Sequence, residues 1–545
     1  MSSEILFTHI VQWNKGEYQV VINEQELFLF NPKNNLAEIQ LAHKDLLGIK
    51  FLSDEDRIES ISPQLPADQE PLLSDGDESR VVLYYYSYLK SNSWFSSTKE
   101  NSRERKEINL HFQNFNLAKL IQFKQAFPKD IIEPPKKKFL VFLNPVSGAG
   151  YSLKMWETKI LPILKESNFI SYDLHFSEYP GHIRHLMLED ENHPEIRKRN
   201  PKQKKLLTPL SQYTTIVGIG GDGTYWEVIN GILERKQQDG LQILSNISIQ
   251  PLPTGSGNAL NKSILFGNNE TPILINALFN LIRGKSFPKD LSTIQYLSPS
   301  AKGLHPTKVS SFLLVGYGIL ADLDIYSEHL HFLGELRFYI YALYYSLIKR
   351  YYSATLCMKL ISSDSFSSAA PNTLEKLRSS HPSFLLERFK QMKDGNTDNN
   401  DDNQNLWITI DSNRFSFIAA VLISHVSETV YFAPNKKLNS NQITIILGEG
   451  LSRLQLLEIL IKADTGEHLK IPGVHCFECS EYLLFPKGNK NLNISNIPID
   501  YDQQQQSNDE KYGIYSIDGE RFPAKPIEGI LLPNGSRLLS LQTFS

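Results

Sequence analysis

The segment Gly220-Gly221-Asp222-Gly223-Thr224 lies between an apolar run at 214–219 and a helical pattern at 224–233, and it constrains the fold more than any other stretch. An apolar run without polar alternation reads as a strand buried on both faces, so this turn joins a parallel sheet to a covering helix. Glycines permit positive φ and a close approach of backbone to an anion at a helix N-terminus. A carboxylate inside such a cradle is repelled unless it has work to do. The two useful tasks are accepting a hydroxyl proton and holding magnesium.

Two further turns share this character. Asn144-Pro145-Val146-Ser147-Gly148-Ala149-Gly150 follows an apolar strand at 139–143, and Pro253-Thr254-Gly255-Ser256-Gly257-Asn258 follows another at 247–252. Either alone would serve as an ordinary tight turn. Three glycine-rich turns at three strand ends point to a phosphate site, because ligands of doubly wound sheets bind at the carboxyl ends of the strands. No GxxxxGK[ST] occurs, so nucleoside triphosphate use without a P-loop is the natural reading.

The 545 residues suggest about three domains. Residues 1–130 read as a small β-rich unit, with strands at 18–22, 27–30, 37–41, 81–89 and 108–112. A helix at 114–126 carries Leu117, Leu120 and Ile121 on one face. Strands closed by one helix resemble a pleckstrin-homology-like module. Pro134-Pro135-Lys136-Lys137-Lys138 reads as a basic, extended linker. Residues 136–290 form the doubly wound α/β domain, with a helical pattern through Met155, Trp156, Ile160, Ile163 and Leu164. Residues 291–545 read as a C-terminal β-sandwich interrupted by helices near 327–350 and 454–462. The fold class is therefore α/β plus β. Polar stretches at 189–205, 362–405 and 500–510 read as surface insertions too poor in apolar residues to order themselves.

Formal net charge is −4, so no global basic field draws nucleic acid. Three cysteines fit a reducing compartment, and the lone Cys476-Phe477-Glu478-Cys479 lacks the second pair that a zinc site needs. The N-terminus has no basic region followed by an apolar core, so no signal peptide is expected. The longest apolar runs, 338–348 and 415–423, fall short of the roughly 20 residues that span a bilayer. The expected location is cytoplasmic, with peripheral membrane contact if the substrate is a lipid.

Asn144-Pro145, the Gly220–Thr224 turn with Glu227, and Gly255-Ser256-Gly257-Asn258 together resemble the diacylglycerol kinase catalytic superfamily. Within it, the sphingosine kinase branch is most similar. The residues that say so are Pro253 to Leu260, Gly318-Ile319-Leu320-Ala321-Asp322-Leu323-Asp324 continuing to Leu336-Arg337, and Asp518-Gly519-Glu520. The resemblance implies an ATP- and Mg2+-dependent lipid kinase acting on the primary hydroxyl of a sphingoid base.

It implies Asp222 as general base. It implies nucleotide contacts from Asn144, Pro145, Val146, Ser177, Gly181, Gly221, Gly223, Thr224, Gly255, Ser256, Gly257, Arg337, Asp518, Gly519 and Glu520. Magnesium would lie near Asp518 or Glu520. Asp324, with Glu328 nearby, would pair with the ammonium of a sphingoid base, a contact that neutral diacylglycerol and amide-capped ceramide cannot make. Residues 338–345 would line the alkyl pocket or pack as ordinary core. Val146 and His331 stand where the family often carries basic residues, which removes positive charge from the phosphate site. A ceramide or diacylglycerol kinase, or a catalytically weak lipid-binding scaffold, are the alternatives.

Overall fold

The computed structural model describes residues 5–14, 16–34, 36–42, 46–52, 79–88, 103–112, 117–129, 134–167, 169–188, 209–235, 237–255, 257–267, 274–297, 308–333, 336–348, 350–361, 407–487 and 512–541. The stretches 189–205, 362–405 and 500–510 lie outside these residues, as does Ser256. The chain packs as two compact units. One comprises Met1–Phe139, Lys154–Asp173 and Asn269–Gly284, the other Leu140–Leu153, Leu174–Asn268 and Lys285–Ser545.

The first unit carries a seven-stranded antiparallel sheet in the spatial order Leu36–Ala42, Glu26–Asn31, Gly16–Asn23, Ile5–Trp13, Arg103–Phe112, Ser79–Tyr88, Leu46–Leu52. The strands at Ile5–Trp13 and Leu46–Leu52 were not legible in the pattern. Ile5–Trp13 keeps Ile5 and Ile10 exposed while Phe7 and Val11 are buried, so its apolar residues do not alternate. The Leu117–Gln125 helix closes the sheet through Phe123, whose ring meets Phe7 edge-on at 5.2 Å.

The basic 134–138 run is not simply a linker, because its last two lysines begin the strand Lys137–Leu143. Lys137 Nζ donates at 2.8 Å to the carbonyl of Ile282, in the last turn of the Leu274–Arg283 helix. Burial, with Arg283 adding to it, lowers the Lys137 amine to about 8. A helix C-terminus attracts such a cation, and the lysine stem can pack while its head stays polar.

A four-stranded sheet orders Ser248–Pro253, Thr215–Gly220, Lys137–Leu143 and Ile170–Phe176. Ser248–Pro253 and Thr215–Gly220 run parallel, in register from Thr215 opposite Ser248 to Gly220 opposite Pro253. All six residues of Thr215–Gly220 are buried, as a strand covered on both faces requires.

The C-terminal region is one continuous ten-stranded antiparallel sheet rather than the expected sandwich of separate sheets. Two long strands explain the difference. Trp407–Val421 pairs with Tyr352–Leu360 along its first half, then with Leu314–Gly318 and Ile443–Glu449 along its second. Val474–Lys487 likewise changes from Ile443–Glu449 to Tyr352–Leu360. Partner exchange lets one sheet fold back on itself and enclose a core.

The two sheets of the second unit share that core, which runs from Leu140 and Phe142 through Tyr225 and Phe312 to Leu538. Polar ties fix their registry. Asn230 on the Asp222–Leu233 helix bonds both the N–H (2.8 Å) and the carbonyl (3.0 Å) of Ser310. Lys289 is fully buried and donates to the carbonyls of Asp290 (2.7 Å) and Leu422 (3.2 Å), and burial lowers its amine to about 7. Its neighbour Asp290 accepts from Asn441 (2.7 Å) and Asn534 (3.0 Å). A buried charge is tolerable only when its donors are satisfied this way.

Candidate active site

The three glycine turns interlock through their backbones. Asp222 N–H donates to the Gly257 carbonyl at 2.9 Å, and Thr254 N–H to the Gly220 carbonyl at 3.3 Å. A Cβ on Gly255 would lie 2.5 Å from Gly221 backbone, one on Gly221 2.7 Å from the Gly257 carbonyl, and one on Gly148 2.1 Å from the Thr254 carbonyl. The third turn is therefore wedged against the other two. In the second and third turns this corrects the reading of the glycines as positive-φ residues, whereas Gly148 (φ 59°) and Gly150 (φ 87°) of the first turn are left-handed. Gly220, Gly221, Gly223, Gly255 and Gly257 are absent from the left-handed positions, and Gly221 has φ −94°. What those turns require is the missing side chain, so that one backbone can lie on another.

Asp222 opens the Asp222–Leu233 helix and is 9% exposed. Its Oδ2 accepts the Ala259 N–H at 2.8 Å and its Oδ1 the Leu260 N–H at 3.2 Å. One helix thus supplies the cap of another, Ala259–Gly267. Burial raises its carboxyl to about 7 despite those two donors, and the negative charges of Asp518 and Glu428 push the same way. An ionised carboxylate has about four acceptor sites, so capacity remains for a substrate hydroxyl. A carboxyl group titrating near neutrality suits a general base.

A cavity of about 680 Å³ opens beside Asp222. Asn144, Gly221, Gly223, Gly255, Gly257 and the Asp518–Glu520 turn line one end, and Asp324, Glu328 and Arg337 also border it. Its apolar wall comes from Leu313, Leu320, Leu323, Val430, Phe432 and Ile459. A Cβ on Gly223 or Gly519 would meet nothing within 4 Å, so both glycines leave open space where phosphate could approach.

Asp322 and Asp324, two residues apart on the Ile319–Tyr326 helix, have different occupations. Asp322 is buried, accepts the Tyr352 hydroxyl, and lies 3.5 Å from the Arg350 guanidinium. Asp324 borders the cavity and accepts the Ser516 hydroxyl. Desolvation raises the Asp324 carboxyl, opposed by the Ser516 bond and the Arg337 charge. Arg337 thus stands near Asp324 on the border of the same cavity.

Asp518 and Gly519 have φ 53° and 90°, and they join the paired strands Ile514–Ile517 and Glu520–Pro523. Asp-Gly with both residues left-handed is the type I′ hairpin turn. The Asp518 carboxylate accepts the Ser311 hydroxyl (2.7 Å) and the N–H groups of Phe312 (2.9 Å), Leu313 (3.0 Å) and Leu314 (2.9 Å). Four donors commit it to the fold, so the expectation of a metal ligand passes to Glu520. Desolvation by the surrounding walls, then the charges of Glu227, Glu328, Asp324 and Asp518, raise the Glu520 carboxyl, although its side chain stays accessible at the rim. A divalent cation would relieve that repulsion. Magnesium needs only one or two carboxylates beside substrate phosphates, which this arrangement fits. Among the described residues no cluster of three or more ligating side chains exists.

Pro145, Val146, Ser177, Gly181 and Thr224 do not border the cavity. Val146 is 78% exposed, and its N–H turns back to Asn144 Oδ1 at 3.2 Å. Thr224 is buried against Gly218 and Gly220. Gly181 is left-handed at φ 83°, and its N–H donates to Glu227 at 3.1 Å. Glu227 also accepts from Ile183 (3.0 Å) and Arg184 (3.3 Å), which fastens Gly181 and the first turn of the His182–Leu188 helix to the Asp222–Leu233 helix. Of the expected alkyl-pocket stretch 338–345, none lines the cavity among described residues, and Ile340, Leu343 and Tyr344 are exposed. The wall residues at 426–432 and 459–464 went unrecognised. Val430 and Phe432 lie in a loop without periodicity, and Ile459 looked like any core position.

Residues 138–294 match the diacylglycerol kinase catalytic domain. A mouse protein named sphingosine kinase 1 is 23% identical over 75% of this chain and 92% of its own length. The sphingosine kinase 1 of Arabidopsis thaliana is 26% identical over 64% of each chain. A sphingoid long chain base kinase 4 from Schizosaccharomyces pombe is 24% identical over 74% of this chain and 75% of its own. A crystal structure of a diacylglycerol kinase from Bacillus anthracis covers 74% of this chain and 97% of its own at 13% identity and TM-score 0.43. The catalytic-domain match over residues 138–294 and the relatives named as sphingoid-base kinases, added to the three interlocked turns, make this chain similar to lipid kinases of the diacylglycerol kinase superfamily and to its sphingosine kinase branch.

Proposed function

We propose that this chain transfers the γ-phosphoryl group of ATP to the primary hydroxyl of sphingosine or a related sphingoid base. The observation that carries the reading is Asp324 on the same cavity as Asp222, beside an apolar wall. A sphingoid base is an ammonium and a hydroxyl on an alkyl chain, and these three features match its parts. Asp324 would pair with the ammonium, while Asp222 takes the hydroxyl proton as the oxygen attacks the γ-phosphorus and the bond to ADP breaks. The proton then leaves to solvent. Gly221, Gly223, Gly255 and Gly257 would admit the phosphates, with Arg337 contributing a planar guanidinium. Magnesium, held by Glu520 and phosphate oxygens, would neutralise charge on the transferred group.

A panel of sphingosine, ceramide and diacylglycerol with radiolabelled ATP tests this. Sphingosine should be the preferred acceptor. Preference for ceramide or diacylglycerol would overturn the ammonium pairing, and no transfer to any of the three would leave only a binding role.

A cytoplasmic location with peripheral membrane contact belongs to the same proposal. Its support is the exposed apolar side of the Leu336–Ile348 helix, where Ile340, Leu343 and Leu347 are 43–60% exposed. No helix among the described residues is long and apolar enough to cross a membrane. Recovery of the protein only in integral-membrane fractions would refute it. The strand order of the N-terminal sheet and its closing helix support a pleckstrin-homology-like identity for residues 1–130. An experimental structure with another strand order would refute that.

A further inference from the structure

The segment between the strands Trp407–Val421 and Ile443–Glu449 carries none of the motifs on which the resemblance rests, yet it lines the cavity. Val426, Ser427, Thr429 and Val430 line the cavity. The same stretch is fastened at two points to the helix that Asp222 caps. Asn258, buried just ahead of that helix, donates through Nδ2 to the Gly255 carbonyl at 2.8 Å and to Glu428 Oε1 at 2.7 Å. His425 N–H donates to Ser263 Oγ at 3.1 Å, and the His425 ring packs on Phe266 at 4.6 Å. The stretch is itself stiffened: Val426 N–H donates to the Val430 carbonyl at 3.1 Å, and Ala433 N–H to the Ser424 carbonyl at 3.0 Å.

We propose that Glu428 is a positioning residue. Through Asn258 it clamps the cavity wall at 426–430 onto the third glycine turn, and so sets the spacing between the lipid wall and the phosphate cradle. The physical basis is the branching of Asn258. One amide nitrogen serves both the turn's own carbonyl and the wall's carboxylate, so movement of one is felt by the other. A charge-assisted bond at the rim contributes modestly, because solvent competes for Glu428. Geometry is the larger effect, since small misplacements of a reacting group cost rate steeply. The assignment of the two cavity ends rests on the kinase reading above.

The test compares Glu428→Ala, Glu428→Gln, Asn258→Ala and the Glu428→Ala/Asn258→Ala pair. Glu428→Ala should raise the KM for ATP and for sphingosine together, each about fivefold, with kcat within about twofold. Glu428→Gln keeps the acceptor and should restore most of both. The double variant should be no worse than Asn258→Ala alone, because Asn258→Ala already removes the contact with Glu428. Nucleotide affinity measured directly, with a fluorescent ATP analogue, should follow the same order. That readout separates the two proposals. If wild type fails to phosphorylate sphingosine, the substrate reading falls while the affinity order still decides the clamp. Wild-type affinity in Glu428→Ala, no rescue by Gln, or additive effects in the double variant would each overturn the clamp. Should Glu428→Ala fold poorly, Glu428→Gln and Asn258→Ala decide the matter by the same affinity measurement.

Discussion

The two ends of the cavity are built by opposite means. At the phosphate end, three turns interlock backbone to backbone, and the defining residues are those that lack a side chain. At the apolar end, the wall is made of side chains brought from 313–323, 426–432 and 459–464. At Gly148, Gly221 and Gly255 the first end tolerates no added side chain, because a single extra carbon meets main chain. The second tolerates exchange of one apolar group for another of similar volume. Under the proposed function, this difference also separates chemistry from selectivity. The Asp222 carboxylate is held by two backbone N–H groups, whereas Asp324 is held by one serine hydroxyl and faces a wall that could be remodelled.

The largest expected effect tests the phosphate end. Asp222→Asn should lower kcat by about 10³-fold, within the range for removal of a general base, while thermal unfolding stays cooperative. Wild-type turnover from that variant would remove Asp222 from the chemistry.

Gly255→Ala should come next. Its Cβ would stand 2.5 Å from Gly221 main chain, so the turn must move. We expect a loss of about 2 kcal/mol of stability and a weakening of nucleotide binding of about a hundredfold, read by denaturant titration and a fluorescent ATP analogue. The same substitution at Gly223, where a Cβ meets nothing, should spare stability, and equal destabilisation by both would undo the contrast.

Asp324→Asn should raise the KM for sphingosine about thirtyfold and leave that for ATP nearly unchanged. Asp322→Asn should instead lower stability by about 2 kcal/mol through its broken contacts with Tyr352 and Arg350. Reversed outcomes would exchange the roles of these neighbours.

The pH profile gives a graded effect. The proposed base works only when ionised, and its folded value lies near 7 against an ordinary 3.8. Activity should therefore be full above pH 8 or so and fall about tenfold per unit as pH drops below 7. An acid limb centred near 4 would show Asp222 unperturbed.

The smallest effect falls on the exposed helix. Leu343→Ser should reduce turnover of vesicle-borne sphingosine about threefold and leave detergent-solubilised substrate unaffected. Equal losses in both formats would argue against membrane contact.

The parallel sheet was readable because buried strands such as Thr215–Gly220 are unbroken apolar runs that end in glycine. Asp222, the glycine turns, Asp324 and Arg337 were readable because they stand in short, distinctive segments. Residues with ordinary local roles were misjudged where the cavity and the fold use the same residue type. Asp518 looked like a metal ligand, yet its partners, Ser311 to Leu314, lie 204–207 residues away in the chain. The resemblance implied that 338–345 lines the alkyl pocket or packs as ordinary core, and a resemblance in sequence does not say which side of a helix faces a cavity.

The sequence by itself determined the resemblance, the strand-ending glycine turns of the parallel sheet, and the carboxylates worth testing. Those properties are local, since glycine spacing, strand-ending turns and apolar runs act over a few residues. Tertiary structure alone decided which glycines serve close packing, that Asp322 is structural while Asp324 borders the cavity, and that Glu428 meets Asn258. Each of these depends on contacts between segments far apart in the chain, and no periodicity along a sequence records such a distance.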